Sequence, residues 1–346
     1  MKKQKIIISY MIMSFILLIS IVTSATIGSA QLSIGDSFQL ILSRIPLLSN
    51  LISTEGIPST YERIVWNIRI PRILLAGISG ASLSIVGVCF QGLFRNPLAD
   101  PQMIGVSSGA ALGATIAVLS GASLSFAGLS GIGIFAFLGA ILTVLLVYGI
   151  SFTQNRSLPV HIILTGTAVG SMLTAVISLL MSIKREEIEK IYMWTLGSFS
   201  GASMTKVGFL SIFFVIISLV IYYFAKDLDL ILTGEEAALS LGVDTVKVKK
   251  VLMISASILV AACVSVCGTI GFVGLIIPHI VRFICGPKHK RLLPLAALTG
   301  ATFLIWCDTI ARTIRAPGEL PVGIITALCG APYFIFLLRR SQKKVV

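Results

Sequence analysis

The 346-residue chain is 56% hydrophobic and only 12% charged, with a mean hydropathy of +0.99, whereas a soluble domain carries roughly 25% charged residues. Apolar runs long enough for the hydrocarbon core recur along its whole length, which excludes a soluble domain with a single anchor. The net charge of +13 does not mark a nucleic-acid binder, because the 27 Lys and Arg sit mainly in short connectors, without a long basic arm or an aromatic-spaced basic surface.

Lys2, Lys3 and Lys5 precede an apolar stretch from Ile6 to about Ile27. It is too long for the apolar core of a signal peptide, so it reads as a retained first span. Further spans are expected near 72–92, 103–120, 131–152, 159–182, 206–225, 251–267, 275–286, 293–311 and 321–338, the eighth being short. The fold class is therefore all-α: a polytopic membrane protein of about ten transmembrane helices, forming one domain over residues 1–346. Arg339, Arg340, Lys343 and Lys344 close a chain that is basic at both ends, so both termini are expected in the cytoplasm. With ten spans, 11 of the 14 lysines fall on the inside, and only Lys184, Lys190 and Lys206 fall outside.

Between the first two spans, a long external connector of about 31–69 holds an amphipathic piece (34–42) and Trp66, which suits an interfacial belt. Ala76, Gly80 and Ser84 recur every four residues in the second span, and Gly105, Gly109 and Gly113 do so in the third; close backbone packing is expected on both faces. The connector Asn155-Arg-Ser-Leu-Pro159 is internal, 184–190 is external and densely charged, and the largest internal loop runs over 226–250.

That loop holds Thr233-Gly-Glu-Glu-Ala-Ala-Leu-Ser-Leu-Gly242. Thr233 and Glu236 have capping-box spacing, which predicts a short helix showing Ala237, Ala238 and Leu241 on one side and stopping near Gly242. Such a helix could fill a groove in a partner protein or rest on the membrane, and its shape alone leaves both open.

Cys263 and Cys267 stand one helical turn apart without a His or acid at ligand spacing, and the other cysteines read as small apolar side chains, so no metal site is expected. His279 follows Pro278 with no second ligand beside it and reads as structural; His161 and His289 are less distinctive still. Asp308 is the one acid inside a predicted span. It could relay protons in a secondary transporter, but an ion pair with Arg312, one turn away, is simpler. No G-x-x-x-x-G-K-[ST] loop is present, so this chain is not itself an ATPase. Nor do the spans hold a paired acid or a Ser-His cluster of the kind an enzyme needs.

Glu236-Ala-Ala-x-x-x-Gly242 resembles the loop that importer permeases of the ATP-binding-cassette (ABC) class insert into their ATPase. Trp66-Asn-Ile-Arg-Ile-Pro-Arg72, Gly92-Leu-Phe-Arg-Asn-Pro-Leu-Ala-Asp-Pro101 with Gly105-Val-Ser-Ser-Gly-Ala110, the run from Gly268 to His279, and Glu319-Leu-Pro-Val-Gly323 with Gly330-Ala-Pro332 resemble the iron-siderophore, haem and vitamin B12 permease family. The resemblance implies a homodimer or close heterodimer of ten-span subunits in the bacterial cytoplasmic membrane, a cytoplasmic ABC ATPase dimer that binds ATP and Mg, and an extracytoplasmic solute-binding protein. It implies no cofactor in this chain. Thr233, Glu236, Ala237, Ala238, Leu241 and Gly242 would couple to the ATPase. Arg69, Arg72 and Arg312 match external arginines that dock the binding protein, with Arg315 and Glu319 nearby but without a clear family counterpart. Asn155, Ser157 and Pro159 are gate candidates by position only, since the local sequence departs from the Ser/Thr-rich connector of the vitamin B12 branch. The expected cargo is an iron-siderophore chelate moved by alternating access, with haem or cobalamin as alternatives and proton-coupled secondary transport as the reading from another class.

Overall fold

In hydrocarbon every backbone N–H and C=O needs a partner within its own segment, and the apolar runs meet that demand as helices. The computed structural model describes residues 2–28, 33–44, 57–126, 128–151, 159–315 and 318–342. Ten apolar helices are present among them: α1 (Lys2–Thr26), α4 (Ile70–Leu93), α5 (Val106–Ser120), α6 (Gly131–Ser151), α7 (Pro159–Ile183), α9 (Met204–Tyr223), α12 (Thr245–Cys267), α13 (Val273–Cys285), α14 (His289–Thr313) and α15 (Val322–Gln342). Seven are long and apolar enough to cross a membrane, and α5, α13 and α15 supply shorter apolar stretches. The ten-span expectation holds element by element, including the short eighth span.

Outside the spans, α2 (Ile34–Leu42) coincides with the amphipathic piece, and the Ser33 hydroxyl caps it by accepting the Asp36 N–H. It packs through Leu40 onto the segment before α4, where the Trp66 indole N–H donates to the Leu40 carbonyl at 3.1 Å. That segment is α3 (Ser59–Arg63) followed by a π-helical turn, Ile64–Arg69, which the sequence reading did not anticipate. Its cause is local. Pro71 has no N–H to give to the carbonyl four residues back, and the Ile70 N–H reaches Val65, five residues back. Between α5 and α6 lies a short hairpin, β1 (Ser125–Phe126) against β2 (Leu129–Ser130), and between α7 and α9 a short helix, α8 (Ile188–Thr195).

Helix α4 runs through the centre and is buried along nearly its whole length, whereas α1 and α9 expose Phe15, Leu18, Leu219 and other large apolar side chains, as lipid-facing helices do. The expected small-residue faces do pack closely. A side chain at Gly80 would place its Cβ 2.1 Å from the Gly300 carbonyl oxygen of α14, and one at Gly113 would sit 2.0 Å from the Phe135 oxygen of α6. Only hydrogen at those positions lets the backbones approach so closely.

The pairings fix the helix directions. Tyr10 meets Arg291 and Ser24 meets Thr309, so α1 and α14 run parallel. Arg72 meets Asp308 while Gly92 meets His289, so α4 runs against them. The end at which α1 and α14 begin is called the near end, and the other the far end.

Candidate functional site

At the near end the chain leaves α9 and forms two short helices before α12: α10 (Ala225–Thr233) and α11 (Glu235–Ser240). Helix α10 buries Ala225, Leu228 and Ile231 in the main core, so the 226–250 loop is anchored rather than loose. The capping-box expectation is corrected here. Thr233 is the last residue of α10 and its hydroxyl bonds back to the Leu230 carbonyl at 2.7 Å; the residue before α11 is Gly234, which offers no side-chain cap. With α10 continuing through Thr233, the cap position of α11 falls one residue later, on a glycine that has no side chain to accept the first N–H groups.

The face of α11 is corrected too. Ala238 points into the protein and is fully buried, while Glu236, Ala237, Leu239 and Leu241 face outward, Leu241 being 66% exposed. Gly242 adopts φ +85°, the left-handed conformation that ends a helix, and the next N–H, from Val243, returns to the Ala238 carbonyl at 3.0 Å. Lys249 of α12 pairs with Glu235 and holds the start of α11 to the bundle.

Sequence reasoning passed over a second near-end feature. Asp229 of α10 accepts from the backbone N–H of His289 at 2.9 Å and from its ring Nδ1 at 2.6 Å, with one carboxylate oxygen serving both. Burial raises the Asp229 pKa, but the bonds from His289, with Lys288 close by, outweigh that and hold it below the ordinary carboxylate value. The available signal was negative: Pro287-Lys-His289 opens a long helix without Ser, Thr, Asp or Asn to cap it.

At the far end, Arg72 forks onto Asp308 through Nε (2.9 Å to Oδ2) and Nη2 (2.9 Å to Oδ1), and its Nη1 reaches Glu319 at 2.8 Å. The expected Asp308–Arg312 pair is therefore corrected: Arg312 turns to α1 and donates to the Ser24 hydroxyl at 2.8 Å and to its carbonyl. Arg69 donates to the Thr26 carbonyl at 2.9 Å and to that of Ala25. All three arginines bind within this chain and are buried, at 3%, 6% and 7% exposure for Arg69, Arg72 and Arg312. In this geometry all three are held at the far end by bonds within the chain, and Arg315 and Glu319 are exposed charges beside them.

The segments that carried the family resemblance converge. Gln91 Nε2 donates to the Leu275 carbonyl at 3.2 Å, Gln102 Nε2 to that of Ile270 at 2.9 Å, and the ring of Phe272, held at φ +69°, lies against Gly330. His279 packs its ring edge-on to Phe283 at 4.9 Å and Tyr333 at 6.2 Å, a structural setting. Beside this junction, a groove of about 600 Å³ runs between the Asp100–Ser108 stretch and α7, its walls mixing Gln102, Thr167, Ser171 and Thr174 with the apolar surface of Met103 and glycines. Of the gate candidates, Asn155 and Ser157 lie outside the described residues, and Pro159 opens α7.

The FecCD transport family matches residues 16–340. A cobalamin import system permease protein of Halobacterium salinarum is 43% identical, covering 84% of this chain and 77% of the relative. An Fe(3+)-citrate import system permease protein of Bacillus subtilis is 33% identical over 99% of this chain and 98% of the relative. Among solved structures, a metal-chelate type ABC transporter in an inward-facing conformation superposes with a TM-score of 0.82 at 33% identity, covering 96% of this chain and 98% of its own. In such importers a separate subunit hydrolyses ATP, so the proton-relay reading of Asp308 falls away and its ion pair with Arg72 accounts for it. The chain thus belongs to the FecCD transport family, as a multi-pass membrane permease of an ABC importer.

Proposed function

We propose that this permease carries an iron-siderophore-type chelate across the cytoplasmic membrane as one half of a dimeric pore, with its near end in the cytoplasm. The observation that carries the coupling part is α11, a short helix outside the spans whose Glu236, Ala237, Leu239 and Leu241 face outward, in a chain without a nucleotide-binding loop. A solvent-facing helix of this shape fits a groove in an ATPase. ATP and Mg act on that partner, whose dimer closes and reopens and so displaces α11 of each permease subunit. Ala238 seats α11 from within and Gly242 turns the chain at its end, while Thr233 ends the helix that supports it. The excess of lysine at the near end supports its cytoplasmic placement.

The groove along α7 is open on one side. A second permease subunit, a copy of this chain or a close relative, would complete it into a path for a bulky polar chelate, with the 155–159 connector (Asn155, Ser157, Pro159) as the gate at its inner mouth. The far end receives the solute-binding protein. There Arg69, Arg72 and Arg312 keep the rim in shape, and Arg315 and Glu319 offer it exposed charge.

The Bacillus subtilis relative named for Fe(3+)-citrate supports an iron chelate as cargo, and the Halobacterium salinarum relative supports cobalamin as the second reading. Uptake decides between them. The permease, reconstituted in liposomes with its ATPase and binding protein, is given labelled ferric chelate, haem or cobalamin. ATP-dependent, vanadate-sensitive accumulation of the ferric chelate is expected; accumulation of cobalamin or haem alone would replace the cargo assigned here.

A further inference from the structure

A helix displaced by a motor does work on a pore only if something stiff joins it to the spans. Helix α11 itself packs on α10 and α12, while α10 packs on α4 and α14. The link from α10 to α14 is specific. Helix α14 starts after Lys288, which supplies no side-chain cap, and the orphan N–H of His289 is capped instead by Asp229 from α10. The same oxygen holds the His289 ring at 2.6 Å, so that the ring's Nδ1 is the donor and its orientation is fixed. That ring is fully buried, wedged against the end of α4: a Cβ at Gly92 would lie 2.7 Å from its Nε2 and 3.3 Å from Leu228 of α10. Three elements therefore meet at one imidazole.

From this point α4 and α14 run side by side as a locked pair. Gly80 and Gly300 bring the backbones together midway, and Arg72–Asp308 bolts them at the far end. From His289 to Asp308 is about 28 Å of helix at 1.5 Å per residue. A displacement delivered at His289 is thus carried to the opposite rim.

We propose that Asp229 and His289 are positioning residues for transport: they clamp α10 to the start of α14 and pass the motion of α11 into the α4–α14 pair. The proposal rests on the reading of α11 as the ATPase contact. Neither residue touches cargo or nucleotide in this scheme, so the clamp acts on coupling and not on assembly or hydrolysis.

The test uses the complete transporter in liposomes and reads cargo moved per ATP hydrolysed. For Asp229→Ala, copurification of the ATPase and the basal hydrolysis rate should stay within about twofold of the parent, while cargo per ATP falls about tenfold, the size of an ordinary coupling term. Asp229→Asn, which keeps an oxygen for the His289 N–H but loses the charge, should reach the same fold with a lower thermal midpoint and recover part of the ratio; His289→Asn should lower it. A purely structural role would reduce the amount of folded transporter and leave the ratio per folded molecule unchanged. An unchanged ratio in Asp229→Ala overturns the proposal, as does loss of the ATPase from that variant. If instead Leu241→Asp on the outer face of α11 leaves ATPase binding intact, it is the reading of α11 that fails, whatever Asp229 does.

Discussion

An arginine and an aspartate sealed at 7% and 2% side-chain exposure cannot be separated cheaply, because removing Asp308 strips the buried Nε and Nη2 of Arg72 of their partner and leaves the guanidinium only Glu319 at its half-exposed end. Asp308→Ala is therefore expected to destabilise the permease by about 1–3 kcal/mol, the cost of buried donors left unsatisfied, seen as a lower thermal midpoint in detergent. Glu319→Ala, at the half-exposed end of the same arginine, should cost much less. Asp308 was legible as the one acid in a predicted span; its partner was not. Spacing within one helix put Arg312 a turn away, but the direction in which each side chain points depends on which helices flank α14, and α4 offered Arg72 while α1 offered the Ser24 oxygens. Asp229 carries a pH signature as well. Its pKa is depressed, so its stabilising contribution is whole above the ordinary value of 3.8 and drains away as pH falls below it. The stability gap between the parent and Asp229→Asn, followed by thermal unfolding against pH, should accordingly close as the medium passes below that value, and a gap independent of pH would contradict the assignment.

The ten spans and their close-packed faces were readable at the scale of elements because both follow from local composition: hydrocarbon selects long apolar runs, and small residues four apart make a smooth face. Gly80→Leu should push a Cβ into the Gly300 carbonyl and cost at least the 1–3 kcal/mol typical of overpacking, roughly, with loss of monodisperse protein on size-exclusion chromatography. Gly149→Ala, where nothing lies within 4 Å, should behave as the parent does. What escaped the sequence are features decided by competition between neighbouring elements. The π turn before α4 arises from a donor that Pro71 lacks. Thr233 has the spacing of a cap, yet α10 continues through it and leaves Gly234 in the cap position of α11. In α11 Ala238 faces inward and Leu239, which the motif did not single out, faces out.

As a whole the molecule works as a transmission: an exposed helix at the near end, a clamp at Asp229 and His289, a closely packed helix pair, and a braced rim at the far end. The family and the fold class could be read from ordered motifs, since Gly, Pro and Gln at fixed offsets are what allow the 92–110 and 268–279 segments to interlock. Cargo could not be read in the same way, because a groove walled by Gln, Ser and Thr accepts many polar chelates. The central claim is that the outer face of α11 receives the motor. Its most direct test is copurification of the ATPase with the permease carrying Leu239→Asp and Leu241→Asp, two exposed positions whose replacement leaves the buried Ala238 untouched. Loss of the ATPase from an otherwise well-folded permease, with ATP-driven uptake abolished, is the predicted result; full retention of both would contradict the account.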